Sequence, residues 1–144
     1  MNYLKILLGN FKNTDAGLLI MRVTFGGIMF YSHGYGKLLG GLSRWNWLGG
    51  VLTDIIGYKI FPIFFGFMAA LSESIFALFI VLGLFTRISS FLLGFTMLVA
   101  TLYHFIDYEF PEVAILYLIF CVLMLVAGPG KYSADSLYLK KFTS

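Results

Sequence analysis

The sequence predicts an all-α, polytopic membrane protein in which four helices cross the bilayer as a bundle. Apolar residues make up 60% of the chain and charged residues only 12%, whereas roughly 25% are charged in an ordinary soluble domain. Long apolar stretches recur along the chain, and a glutamate, Glu73, lies near the middle of one of them. Four spans and short connections nearly use up the 144 residues, so the sequence predicts one membrane domain over residues 16–128 and no soluble catalytic domain.

Net charge and cysteine content exclude two classes of function. The net charge of +3 is small and spread along the chain, so no nucleic-acid partner is expected. Cys121 is the single cysteine, which excludes an internal disulfide and a C-x-x-C redox pair. Any electron transfer would therefore use a bound cofactor or a partner protein.

The first predicted span covers about residues 16–38 and follows an amphipathic segment, residues 1–15, that is expected to lie on the membrane surface. Five residues, three of them ionisable, recur at steps of three or four residues in this span, so they share one helix face. They are Arg22, Gly26, Met29, His33 and Lys37. Gly26 is expected to let a neighbouring helix approach closely.

Residues 34–59 are glycine-rich and predict an interfacial or re-entrant segment, because their apolar stretch is too short to cross a bilayer. Ser43 is expected to cap a short helix. The apolar side of that helix would carry Leu48, Val51, Leu52 and Ile55. Two interpretations stay open, a membrane anchor and a lid over a site beneath it.

The remaining spans are predicted over about residues 60–85, 88–106 and 113–127. Because Thr86 and Arg87 alone separate the second and third spans, these two are expected to be antiparallel neighbours. One face of the third span carries Ser90, Gly94, Met97, Thr101 and His104. Gly128–Gly130 ends the last span, and residues 129–144 form a predicted cytoplasmic tail in which Ser133 and Asp135 could cap a final helix.

The distribution of basic residues predicts the orientation in the membrane. Six of them fall on one side of a four-span topology, Lys5, Lys12, Arg87, Lys131, Lys140 and Lys141, and three on the other, Lys37, Arg44 and Lys59. Cytoplasmic loops carry the excess of Lys and Arg, so both termini are predicted to be cytoplasmic.

Glu73 is the residue whose environment most needs an explanation. An unpaired carboxylate in hydrocarbon costs on the order of a few kcal/mol, so Glu73 is expected to face the protein interior and to be paired or protonated. An ion pair with Arg22 is the expected arrangement. The alternatives are a protonated Glu73 and a hydrogen bond to Ser72, Thr101 or water.

Ionisable groups on inward helix faces predict a proton-linked site for a quinone or a similar amphiphile. Glu73 and His33 are the candidate catalytic residues. The candidate cofactor-binding residues are Arg22, Lys37, Glu73 and His104. A structural alternative is that these groups only hold the helices together.

Haem and metal binding are weaker interpretations of the same residues. His33 and His104 are expected at similar depth and could ligate a haem, but the sequence lacks the repeated histidine pairs of membrane cytochromes. No metal site is predicted, because Glu73 should lie more than two helical turns deeper than the histidines.

Three motifs and the mid-span glutamate give the chain a family resemblance. They are R-x3-G-x6-H-G-x2-K-L from Arg22 to Leu38, then Glu73, then L-G-L-F-T-R from Leu82 to Arg87, and G-P-G-x-Y-S-x-D from Gly128 to Asp135. In this order and spacing they resemble the DoxX family of small four-helix bacterial membrane proteins. Arg22, His33, Lys37, Glu73 and Arg87 match signature positions of that family, and His104 matches none.

The resemblance implies a function in the bacterial inner membrane. The family takes its name from a subunit of an archaeal thiosulfate:quinone oxidoreductase, and other members are linked to membrane oxidoreductase complexes in redox-stress defence. It implies a membrane-embedded subunit of a quinone-linked oxidoreductase, with the lipid bilayer and a membrane or peripheral redox protein as partners, and homo-oligomers are compatible with it. The alternatives are a noncatalytic scaffold or anchor and a small-solute or proton carrier.

Overall fold

A computed structural model describes residues 13–58 and 60–143, and every regular element within those ranges is a helix. The prediction of an all-helical chain is therefore confirmed. Most of the amphipathic segment predicted over residues 1–15 lies outside the described ranges. Its last residues, Thr14 and Asp15, already belong to the first helix.

The first helix, α1, is long and has an irregular middle. It runs without a break through Thr14–Ile28, Met29–Gly34 and Tyr35–Leu39, and Met29–Gly34 is π-helical. The chain turns at Gly41, whose φ of 67° is accessible to glycine, and continues as α2, Gly41–Ile56. Ser43 therefore lies within α2 and makes no cap bond, so the expectation that it caps this helix is wrong.

Two long antiparallel helices follow. Helix α3, Pro62–Leu82, contains a second π-helical segment, Ser72–Phe76. It ends at Gly83, where the Leu84 amide donates to the Phe79 carbonyl oxygen at 2.8 Å in a Schellman-type cap. Helix α4, Thr86–Ile106, then returns along α3. The last helices are α5, Glu112–Ala127, and α6, Ala134–Thr143.

Length and apolar composition suit α3 and α4 to a membrane crossing, since each has 21 residues. Helix α5 is apolar but shorter. A crossing by all four predicted spans stays a prediction.

The helices α1, α3, α4 and α5 pack around one apolar core. Helix α1 contacts α3, α3 contacts α4, and α4 contacts α5. Phe25 of α1 stacks on Phe120 of α5 with ring centroids 4.8 Å apart. The buried core residues come from all four helices and are Met29, Ala77, Ile80, Leu93, Met97, Tyr117, Phe120, Cys121 and Met124.

Both ends of the described chain lie at the same end of this helix assembly. The amide of Lys131, after α5, donates to the carboxylate of Asp15 in the first turn of α1 at 2.8 Å. The α3–α4 turn lies at this end too, because the Asp135 amide donates to the Gly83 carbonyl oxygen at 2.8 Å. The opposite end carries α2.

Candidate functional site

The two π-helical segments meet where α1 crosses α3. A Cβ atom placed on Gly34, the last residue of the first segment, would overlap the backbone carbonyl of Glu73 in the second. The two main chains are therefore in direct contact, which only glycine permits. Single π-helical turns within α-helices are frequent at functional sites.

Glu73 is buried at this crossing and forms an ion pair. Its side chain is 3% exposed, and its Oε2 accepts a hydrogen bond from the Lys37 Nζ at 2.5 Å. Lys37 is one helical turn beyond Gly34, so the close crossing brings its side chain to Glu73. The expectation that Glu73 faces the interior and has a cationic partner is confirmed.

The prediction that Arg22 is the ion-pair partner of Glu73 is wrong. The Arg22 side chain is fully buried, but its Nη2 donates to the Tyr132 carbonyl oxygen at 2.6 Å. A Cβ on Gly83 would overlap the Arg22 guanidinium, which places Arg22 level with the end of α3. Glu73 lies ten residues earlier in α3, about 15 Å away along the helix, which is beyond the reach of the guanidinium.

A pocket of about 320 Å³ opens beside the Lys37–Glu73 pair, between α2, α3 and α4. Its polar lining residues are Lys37, Ser72, Glu73, Thr96, Tyr103 and His104. Its other lining residues are apolar and come from α2 (Trp47, Leu48, Val51, Leu52), α3 (Phe65, Met68, Ala69, Phe76) and α4 (Leu92, Phe95, Val99, Ala100). The site is thus an apolar cavity with an ion pair in its wall.

Helix α2 covers this pocket. Its side chains Leu48, Val51 and Leu52 line the cavity, as the lid interpretation requires. A Cβ on Gly49 would overlap the Pro62 carbonyl oxygen, so the backbones of α2 and α3 touch there. The Trp45 indole N–H also donates to the Lys37 carbonyl oxygen at 3.0 Å, which ties α2 to the end of α1.

His33 lies outside the pocket, and the π-helical segment explains why. One regular turn after Met29 would place His33 on the buried face of α1, but a π turn takes one residue more and places Gly34 there. His33 is instead half-buried against Tyr117, with ring centroids 6.1 Å apart. Of the five candidate residues, the structure brings Lys37, Glu73 and His104 to one cavity and places Arg22 and His33 elsewhere.

The histidines are not arranged as a pair of haem ligands. His104 lines the pocket and its Nδ1 lies 3.0 Å from Glu109 Oε2, whereas His33 contacts α5. Among residues 13–58 and 60–143, no group of three or more His, Cys, Asp or Glu side chains is placed to hold a metal ion.

Thr96 and Tyr103 are pocket residues that the sequence analysis missed. The predicted face of α4 is centred elsewhere: its members Ser90, Gly94, Met97 and Thr101 are buried, and only its last member, His104, lines the pocket. Thr96 lies on the pocket face, where its Oγ1 is 2.7 Å from Ser72 Oγ. The seven-residue spacing of Thr96 and Tyr103 is a signal that could have identified this second inward face.

The tail motif holds the opposite end of the helices together. Ser133 caps α6 as expected, since its Oγ accepts the Ser136 amide at 3.2 Å. Asp135 caps a different helix from the predicted one, because its carboxylate accepts the amides of Phe85 and Thr86, at 2.8 and 2.9 Å, at the start of α4. Arg87, beside them, is exposed.

Comparison with known proteins gives one family. The family model described as DoxX matches residues 17–105, which include both π-helical segments, the Lys37–Glu73 pair and every residue of the pocket lining. Neither the curated proteins nor the solved structures gave a match.

Proposed function

Because the chain belongs to the DoxX family and is a membrane protein, we propose that it is a membrane-embedded subunit of a quinone-linked oxidoreductase. We propose further that a quinone or a similar amphiphile binds in the pocket beneath α2. The observation that carries this proposal is the buried Lys37–Glu73 ion pair in the wall of an otherwise apolar cavity.

The chemistry of the pocket suits a quinone headgroup. Small-molecule sites are mostly apolar, with a few polar groups that fix orientation, and span roughly 300–1,000 Å³. The cavity of about 320 Å³ is at the lower end and matches a ring rather than a whole isoprenoid quinone. The Lys37 ammonium can donate a hydrogen bond to a quinone oxygen, and the apolar walls can hold the ring.

The Lys37–Glu73 pair can also move protons. Reduction of a quinone takes up two electrons and two protons, and a glutamate next to a bound oxygen can take up a proton and then pass it to that oxygen. Glu73 is the proposed proton-transfer residue, and Lys37 holds it in position. Since Cys121 is buried and is the single cysteine, the electrons come from a bound cofactor or a partner protein.

We assign this site to the bacterial inner membrane, with four crossings and both termini in the cytoplasm. The Asp15–Lys131 contact supports an even number of crossings, because it joins the start of α1 to the segment after α5. Arg87 and Lys131 at this end agree with the excess of basic residues in cytoplasmic loops. Reporter fusions at both termini should give cytoplasmic signals, and a periplasmic signal from either would refute the orientation.

Quinone binding by the purified protein in lipid nanodiscs tests the proposal. Glu73→Gln removes the carboxylate charge in the pocket, and we expect it to weaken binding of a short-chain quinone by about tenfold, as loss of a charged hydrogen bond does. Glu112→Gln is the matched control, because Glu112 is exposed at the start of α5 and should leave binding unchanged. Equal binding by all three proteins would refute the pocket. If Glu73→Gln then prevented assembly with a membrane partner, the scaffold function would be favoured.

A further inference from the structure

Arg22 is the largest fully buried side chain in the described part of the chain, and two of its three nitrogen atoms have no acceptor. Its Nη2 donates to the Tyr132 carbonyl oxygen, whereas its Nε and Nη1 meet no acceptor among the described residues. A guanidinium that is removed from water and left with one neutral acceptor is strongly destabilised. Arg22 therefore needs a further acceptor that carries negative charge.

No carboxylate side chain of this protein supplies that charge. The structure describes all seven Asp and Glu residues of the chain, and none of them forms an ion pair with Arg22. Asp135 is the acid whose charge acts on Arg22, but its two oxygens already accept the amides of Phe85 and Thr86. The positive charge of Arg22 is thus left without a side chain that pairs with it.

Two buried hydroxyl groups lie at the same end of the helices and also lack partners. The Thr86 Oγ1 and the Ser90 Oγ are fully buried and make no hydrogen bond to any described residue. Arg22 contacts Gly83, which precedes Thr86 by three residues, and Ser90 lies one turn further along the inward face of α4. Each of these groups can donate a hydrogen bond. Buried polar atoms without a protein partner often mark an ordered water or an ion.

The tail encloses this group of donors. The Tyr132 carbonyl oxygen lies against Arg22, and a Cβ atom on Gly83 would overlap both the Arg22 guanidinium and the Ser133 side chain. Arg22, Thr86 and Ser90 have no exposed surface. A lipid headgroup or a large organic anion therefore cannot reach them, whereas an ion of one or a few atoms needs little space.

We propose that Arg22, Thr86 and Ser90 bind one small inorganic monoanion of about the size of a halide. One unpaired positive charge calls for one negative charge, and three kinds of donor without acceptors call for a ligand that only accepts. A water molecule would satisfy hydroxyl groups but would leave the charge of Arg22 unbalanced. The site lies at the opposite end of the helices from the quinone pocket, so the inference goes beyond the proposed function and does not depend on it.

Thermal unfolding in two salts tests the site, with chloride as the probe. Cys121 is buried, so its reaction with a fluorogenic maleimide reports unfolding of the detergent-purified protein. We expect the unfolding midpoint to be about 5 °C higher in chloride than in gluconate at equal ionic strength, if the chloride concentration is about tenfold above half-saturation. Gluconate is too large for an enclosed site.

Two arginine variants locate the effect. Arg22→Gln removes the buried charge, and its midpoints in chloride and gluconate should be equal. Arg87→Gln makes the same chemical change at an exposed position at the same end of the helices, and it should keep the whole difference. A difference that persists in Arg22→Gln, or that Arg87→Gln removes as well, would overturn the inference.

Thr86→Val gives a second test that keeps the arginine. The valine has nearly the same shape but no hydroxyl, and removal of a buried hydroxyl without a partner should stabilise the protein. We therefore expect Thr86→Val to raise the midpoint in gluconate and to need about tenfold more chloride for the same further rise. An equal gain in both salts would mean that Thr86 donates to no anion.

Binding of radioactive chloride to the unaltered protein decides the question even if Arg22→Gln does not fold. A scintillation proximity assay should find one chloride per chain, displaced by unlabelled chloride or bromide and not by gluconate. If no displaceable chloride is bound and the unfolding midpoints in the two salts are equal, the donors are satisfied by ordered water only and the proposed anion site is wrong.

Discussion

Gly34 and Glu73 touch through their main chains, and this contact sets the register of α1 against α3. With the backbones this close, the side chain one turn beyond Gly34 is Lys37, and it reaches the Glu73 carboxylate. The ion pair therefore depends on a residue that has no side chain. The register also places Gly26 against Ala77 and Val81 and Arg22 against Gly83.

The first prediction is that Gly34→Ala destabilises the protein and separates the ion pair. The added methyl group overlaps the backbone of Glu73, and because that backbone is held in a helix, α1 must move away. We expect a loss of about 1 to 3 kcal/mol in the free energy of unfolding, measured by denaturant titration in detergent.

Gly36→Ala is the control for this substitution. Gly36 lies in the same helix, and a Cβ atom there meets nothing within 4 Å. Alanine should raise stability by up to about 1 kcal/mol, because glycine is a poor helix former. Equal effects at Gly34 and Gly36 would show that α1 and α3 do not touch as described.

The second prediction concerns the partner of Glu73. Lys37→Glu and Glu73→Lys should each destabilise the protein, by up to about 3 kcal/mol, because each places two like charges at a mostly buried site. The double variant has the acid at position 37 and the base at position 73, so it restores the ion pair with the charges exchanged. It should recover most of the lost free energy of unfolding, as a double-mutant cycle can measure. Arg22→Glu with Glu73→Arg should show no such recovery, since those side chains lie at different levels. If the Arg22→Glu, Glu73→Arg double variant recovered stability and the Lys37 double variant did not, Arg22 and not Lys37 would be the partner of Glu73.

Composition and the cost of burying charge predict much of this site from the sequence. Apolar runs identify α3 and α4, and the cost of a carboxylate in oil predicts a buried Glu73 with a cation. Both predictions depend only on local chemistry. The sequence also shows that the segment after the first span is too short to cross a bilayer, and the structure places it over the pocket as α2.

The register between helices and the π-helical turns could not be predicted in the same way. Depth counted from the ends of the spans places Arg22 close to Glu73, whereas the glycine contacts shift α1 so that Lys37 takes that place. The π turn at Met29–Gly34 then rotates His33 off the buried face. Nothing in the apolar pattern signals an extra residue per turn, because the flanking residues are equally suited to a regular helix.

The third prediction is that Asp135 stabilises the start of α4. Phe85, just before that helix, has a φ of 44°, which is strained for a bulky residue. The Asp135 carboxylate accepts its amide and that of Thr86 and so acts as an N-cap supplied by the tail. Asp135→Ala should cost about 1 to 2 kcal/mol and speed hydrogen exchange at these two amides. Asp135→Asn keeps one acceptor oxygen, so its stability and its exchange rates should lie between those of the unaltered protein and of Asp135→Ala. Unchanged hydrogen exchange at these two amides in Asp135→Ala would contradict the cap.

The fourth prediction uses two adjacent glycines to test α2 as the cover of the pocket. A methyl group on Gly49 overlaps the Pro62 carbonyl oxygen, so Gly49→Ala should lift α2 from α3, lower the free energy of unfolding by about 1 to 3 kcal/mol and weaken quinone binding. Gly50→Ala makes the same chemical change one residue later, where nothing lies within 4 Å, so it should leave quinone binding nearly unchanged and, as at Gly36, raise the free energy of unfolding by up to about 1 kcal/mol. If quinone binding survives Gly49→Ala while stability falls, α2 stabilises the fold but does not close the site, and the ligand lies nearer α4 than α2.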